Sequence, residues 1–149
     1  MINFELNIDD YLEIHELNIL NVSALIASDN ISNDVKSLIN FFNDEYKWDN
    51  MFNFDDVKRR LDDGHYMFIL YYDVNPIGYV FYEPKTENVF YLYNLYVTNK
   101  IKRPPHSPIW FVNKSIKLLP SSVSKIVCIS EEWHTSAQNV FKSNNFKEV

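Results

Sequence analysis

Glu83 and Glu87, the tyrosines at 91, 93 and 96, and a basic, proline-rich run from Lys100 to Pro108 crowd into one stretch of this 149-residue chain. A carboxylate can accept a proton and a phenol can give one. Lys100, Lys102 and Arg103 attract an anion. Tyr91 to Val97 reads as an aromatic, β-branched strand, and Ser107 with Pro108 as the N-cap and N1 of an amphipathic helix. The basic run therefore sits where a strand leads through a turn into a helix N-terminus, whose first N–H groups lack internal partners and suit an anion. Pro104, Pro105 and Pro108 carry no N–H, so the donors left are those of His106, Ser107 and Ile109.

Other chemistries find little support. His15, His65, His106 and His134 share no ligand spacing with one another or with Cys128, which argues against zinc. Glu131 and Glu132 beside His134 read as the acidic first turn of a helix. Cys128, between Val127 and Ile129, reads as a small buried hydrophobe. No P-loop, nucleophile elbow or dinucleotide fingerprint occurs. Lys58, Arg59 and Arg60 read as a solvated helix face.

Composition bounds the rest. The net charge is −6, with the acidic excess in the first half, which repels phosphodiester backbones and predicts no nucleic-acid partner. A single cysteine excludes an internal disulfide and fits a reducing compartment. The acidic N-terminus lacks a leader-like apolar core, and no apolar run approaches a membrane span. The expected location is therefore cytoplasmic, with no membrane partner. Asparagine at roughly one residue in eight is the usage of an AT-rich genome, such as that of a virus. Aromatic residues make up 16% of the chain, so rings dominate the expected core.

The positioning elements follow from periodicity. Ile2, Phe4, Leu6 and Ile8 alternate with polar residues as in a half-buried strand. Asp9 and Asp10 then suit the start of a helix holding Tyr11 to Leu17, and Leu20 to Ala27 continues in helix-compatible fashion. Ser32 or Asn33 can cap a second helix, in which Val35, Leu38, Ile39 and Phe42 form one apolar stripe. Asn53 to Asp56 opens a third helix that ends at Gly64. Tyr66 to Tyr72, Ile77 to Tyr82 and Val89 to Val97 form an antiparallel meander, with a turn at Asp73 to Pro76. Lys125 to Ser130 is a buried strand and Trp133 to Ser143 a last helix, which Asn145 ends in a left-handed conformation. Phe146 to Val149 can begin one more strand. The crossover from Val89–Val97 through a helix to Lys125–Ser130 favours parallel neighbours. The fold class is thus α/β: one domain over residues 1–149, a mixed sheet of antiparallel meander plus parallel crossover, with helices on both faces.

In this order, the run from Arg60 to Phe68, Pro76 to Tyr79, Leu92 to Val97, and the last helix with Ala137, Phe141, Asn145 and Phe146 resemble the GNAT superfamily of acyl-CoA-dependent N-acyltransferases. The resemblance covers most of the chain from Phe54 onward. It implies acetyl-CoA as donor and an amine as acceptor, with the pantetheine arm along Leu95 to Val97. It also implies a pyrophosphate turn whose motif positions fall on Lys102, Pro105 and Ser107, with Arg103 and His106 beside them. The family's usual tyrosine acid falls on Phe141, which has no proton to give. One of Tyr91, Tyr93 and Tyr96, Tyr93 foremost, is then the substitute acid. Glu83 or Glu87, Glu83 foremost, is the candidate base, and the chain is shorter at its C-terminal end than the family pattern. The reading these departures favour is a degenerate acyl-CoA site with a binding or assembly role, including a virion structural role. Such a role would place a protein partner at exposed aromatics such as Trp48 or Trp133. The alternative is an active, divergent N-acetyltransferase.

Overall fold

The computed structural model describes residues 1–11, 18–21, 29–46, 53–101, 103–132 and 134–149. Alternation sets the first element: β1 (Ile2–Asn7) buries Phe4 and Leu6 on one face and turns Asn3, Glu5 and Asn7 to the other. Ile8–Asp10 then forms a single 3-10 turn, and Tyr11 leaves it with φ −59° and ψ 132°. The expected helix therefore does not start at the two aspartates; its remainder, residues 12–17, lies outside the described residues. β2 (Asn18–Asn21) pairs antiparallel with β3 (Tyr66–Tyr72), Leu20 opposite Ile69. Leu20 is therefore not helical, as its pattern suggests; its backbone is taken by the sheet edge, and tertiary pairing overrides local preference.

α1 (Asp29–Tyr46) is already helical three residues before Ser32, which is thus an interior position and no cap. Its stripe of Val35, Leu38, Ile39 and Phe42 is buried as the spacing requires. α2 (Phe54–Asp62) opens on a capping box: the Asn53 side chain accepts from the Asp56 N–H at 3.0 Å, and Asp56 accepts from the Asn53 N–H at 3.3 Å. β4 (Asn75–Pro84) and β5 (Val89–Val97) complete the meander. α3 (Ser107–Lys117), β6 (Lys125–Ser130), α4 (Thr135–Ser143) and a short β7 (Lys147–Glu148) come next in the chain. Asn145 ends α4 at φ +67°, and its amide donates to the Asp10 carbonyl at 2.8 Å. The strand that Phe146 to Val149 can begin is β7, paired with β1.

The sheet order is β2-β3-β4-β5-β6-β1-β7, with β5 and β6 parallel and the other pairs antiparallel. One face holds α3 and α4 through Phe111, Val112, Ile116, Val140 and Phe141. The other carries α1 and α2 over β3, β4 and β5, through Val35, Leu38, Phe42 and Val57 against Met67, Ile69, Tyr79 and Phe81. Among the described residues no helix contributes to a core over β6, β1 and β7 on that second face.

Regular pairing between β4 and β5 breaks between Tyr79 and Phe81. Tyr79 pairs with Tyr96 but Phe81 with Tyr93, so Val80 faces both Asn94 and Leu95. That is a bulge, with Asn94 in the left-handed region at φ +54° and its carboxamide oxygen accepting from the Tyr79 hydroxyl at 3.3 Å. Gly78 lies opposite Val97, where an added Cβ would stand 2.7 Å from the Tyr96 carbonyl oxygen. Only glycine permits that approach.

Candidate active site

The bulge divides β5 in two. Its first residues pair with β6, Val89 with Lys125, Phe90 with Ile126 and Tyr91 with Val127, and the pairing stops there. From Leu92 to Val97 the β5 edge that faces β6 has no strand beside it among the described residues. Two parallel strands that part in this way leave a wedge whose wall is unpaired backbone, and such N–H and C=O groups seek a partner. Leu95 and Val97 lie on the free portion, partly buried against the α3–α4 core, and α3 and α4 flank the wedge on that face.

Beyond Val97 the turn is tied down by its own side chains. The Thr98 N–H donates to the Ile77 carbonyl at 2.8 Å and its hydroxyl to Glu45 at 3.3 Å. Lys100 pairs with Asp44 at 3.3 Å, and Arg103 donates to the Asn99 carboxamide at 2.9 Å. Lys102 lies outside the described residues, as do Trp48 and Trp133. His106 caps α3 in the left-handed conformation, φ 63° and ψ 17°. Ser107 is thus N1 and Pro108 N2, one position later than the serine–proline pair suggests. The Ser107 hydroxyl donates back to the Pro104 carbonyl, which ties the first turn of the helix to the proline loop. Phe141 is buried against Phe4 and Phe146, a core ring with no polar duty.

Glu83 and Tyr93 do come together, joined by a residue that sequence patterns did not single out. His65 makes a short hydrogen bond through Nδ1 to the Tyr93 hydroxyl, and its Nε2 lies 3.8 Å from Glu83. Lys85 holds the same carboxylate at 2.9 Å. From α2, Arg60 reaches over the rings of Phe81 and Tyr93, 5.3 and 5.4 Å from their centroids. Burial lowers the His65 pKa, Glu83 opposes that, and Arg60 adds to it. Burial also pushes the Tyr93 hydroxyl up to about 12, against the pull of Arg60. At neutral pH the cluster therefore holds a protonated phenol and a neutral imidazole beside a carboxylate, a set that can pass a proton in either direction. The signal for His65 was slight: a lone histidine between Gly64 and the first meander strand, 28 positions from its partner Tyr93.

Burial pushes the Cys128 thiol up, as a core cysteine requires. Among the described residues no group of three histidine, cysteine or carboxylate side chains can hold a metal. No helix among them is long and apolar enough to cross a membrane.

No family model matches the sequence, and no curated protein matches it either. Solved structures do. A GNAT-family acetyltransferase from Bacillus cereus superposes with a TM-score of 0.64 at 22% identity, over 89% of this chain and 84% of that one. The N-acetyltransferase PseH of Campylobacter jejuni, in complex with acetyl coenzyme A, gives 0.60 at 16% identity, over 89% of each chain. A Staphylococcus epidermidis protein of unknown function gives 0.65 at 11% identity, over 99% of this chain, which spans 57% of that protein's length.

Proposed function

We propose that this chain, whose fold is that of the GNAT acetyltransferases, transfers an acyl group from acyl-CoA to an amine. The carrying observation is the wedge between β5 and β6: a rail of unpaired backbone from Leu92 to Val97 that begins beside a proton-handling cluster. When bound, acyl-CoA supplies an activated thioester carbonyl. Backbone groups of Leu92 to Val97 would hold its pantetheine amides, as an added strand is held at a sheet edge. The diphosphate end fits less well. Pro104, Pro105 and Pro108 offer no donor, and Lys100 and Arg103 are already engaged. The N–H groups of His106, Ser107 and Ile109, with the Arg103 donors not given to Asn99, are what remain for it.

In this reading Glu83 and His65 together take the proton from the acceptor ammonium, leaving a neutral amine to attack the thioester carbonyl, and Glu83 balances the charge that forms on the imidazole. Tyr93 keeps its proton through the neutral range and serves as the donor that Phe141 cannot be. The bulge at Asn94 holds that division of labour. It keeps Tyr93 and Tyr96 on the α1–α2 face and Leu92, Leu95 and Val97 on the α3–α4 face.

A second reading is favoured by the three prolines and by the buried Phe141. In it the wedge takes no acyl-CoA, and the chain serves as a binding or assembly module in a larger particle, a virion included. Calorimetric titration with acetyl-CoA separates the two. The transferase reading expects binding at about 0.1 mM or tighter, roughly −5.5 kcal/mol, and thiol release with an amine that Glu83→Gln and Tyr93→Phe each reduce. No heat at millimolar ligand refutes it and leaves the assembly module.

A further inference from the structure

We propose that the cavity beside Tyr91 is a binding site for a primary ammonium carried on an apolar or aromatic body. In that ligand's absence, Lys85 occupies the ammonium position. The strand register builds the site. Glu83 pairs with Tyr91, Tyr91 with Val127, and Val127 with Glu5, so these four side chains form one row across the sheet on the face that α1 and α2 leave open. Over that row lies a cavity of about 490 Å³, lined among others by Lys85, Tyr91, Val127, Ile129 and Val149. That volume suits a small organic molecule, and the lining is mainly apolar. Ile129 is 45% exposed there, unusual for a central-strand isoleucine, and Val149 is 68% exposed.

The polar end of the cavity selects the sign of the ligand. The Lys85 ammonium stands 2.9 Å from Glu83 and 5.3 Å above the centroid of the Tyr91 ring. A carboxylate and an aromatic face converging on one point favour a cation from two directions. A ligand carboxylate would have to draw Lys85 away from Glu83 and would then face that carboxylate, while across the row Glu5 is already paired with Lys125 at 3.7 Å. The Lys85 side chain is half exposed, so it can swing its charge into water and yield the position. The body of the ligand would then lie on Tyr91, Val127 and Ile129. That the bound amine is the acceptor of an acyl group rests on the transferase reading; that it binds does not. His65, which contacts the same Glu83, would stand next to its nitrogen.

Phenethylamine, phenylpropionate and propylamine, titrated without any acyl donor and followed by calorimetry or amide chemical shifts, test the site. Phenethylamine should bind, and the other two at least about tenfold more weakly, the range a lost cation–π contact or lost apolar body gives. Lys85→Ala should tighten phenethylamine about threefold to tenfold by removing the internal competitor. Ile129→Arg should weaken it at least about tenfold, and Val149→Arg serves the same purpose if the first variant does not fold. Equal binding of phenylpropionate or propylamine overturns the proposal, as does weaker or unchanged binding in Lys85→Ala. No phenethylamine binding at millimolar concentration also overturns it. Failure of acetyl-CoA to bind, with phenethylamine still bound, refutes the transferase reading alone.

Discussion

Gly78 offers the sharpest link between a single atom and the wedge. An alanine there would put Cβ 2.7 Å from the Tyr96 carbonyl oxygen and 3.0 Å from Val97 Cγ2. Carbon–oxygen contacts across strands lie near 3.3 Å or beyond, so β4 and β5 must part by about half an ångström. Neither atom is the far end of a flexible side chain: one is backbone and the other a β-branched methyl. Overpacking of this kind costs about 1–3 kcal/mol. For a chain of this size, about 2 kcal/mol lowers Tm by roughly 4–8 °C. The displaced residues, Tyr96 and Val97, are also the outer end of the unpaired rail. Acetyl-CoA affinity should therefore fall several-fold in Gly78→Ala at temperatures where the variant is still folded. Scanning calorimetry and then titration read both effects. The control is Gly64→Ala. Gly64 sits at φ +88° with nothing within 4 Å of an added Cβ, so it should cost about 1–2 kcal/mol of backbone strain and leave ligand affinity unchanged. A Gly78→Ala protein as stable as the parent would refute the close-approach account of the bulged strand.

Three more outcomes are expected from the geometry. Asn53→Ala removes the α2 capping box and should cost about 1 kcal/mol, read as a shift in urea midpoint with unchanged slope. The Tyr82 hydroxyl and Ser115 Oγ lie 2.6 Å apart in the core. Tyr82→Phe should cost about 1–2 kcal/mol, and a cycle with Ser115→Ala should show coupling between the two sites. His65 has a folded pKa lowered by burial, so below about pH 6.5 the unfolded chain binds a proton the native chain resists. The stability it contributes is whole above that pH and falls as pH drops toward the folded pKa. Denaturation midpoints at pH 5 and 7.5 should differ less in His65→Gln than in the parent.

Much of the architecture was legible because its signals are local. The Asn53–Asp56 box, the α1 stripe and the switch from period 3.6 to continuous strands at Tyr66 each lie within one short window. What was not legible depends on distant partners. Leu20 joins the sheet only because β3 offers an edge, and nothing between Asn18 and Asn21 announces it. Ser107 has the residue type of a cap, but His106 takes the cap position and the helix begins at Ser107 itself. Asn94, a lone asparagine among aromatic residues, was the one visible trace of the bulge that opens the wedge. In the candidate site, Glu83 and Tyr93 were nameable by residue type, while His65 was hidden because its relation to both exists only across strands. Cys128 and the last-helix boundary at Asn145 were readable from composition and cap chemistry alone.

The place of β1 in the sheet sets an order of assembly. It lies between β6 and β7, so its partners are Lys125–Ser130 and Lys147–Glu148, more than a hundred residues downstream. At a synthesis rate of roughly 5–20 residues per second, β1 has been made for about 6–25 s before β6 is complete. Phe4 and Leu6, both 0% exposed in the finished protein, spend that interval without the α3–α4 core that covers them. The β3–β5 meander needs only adjacent hairpins and can form first. The half of the sheet that builds the cavity is therefore the last to close. A fusion partner or chaperone that retains Ile2–Asn7 would delay that half while leaving the meander intact.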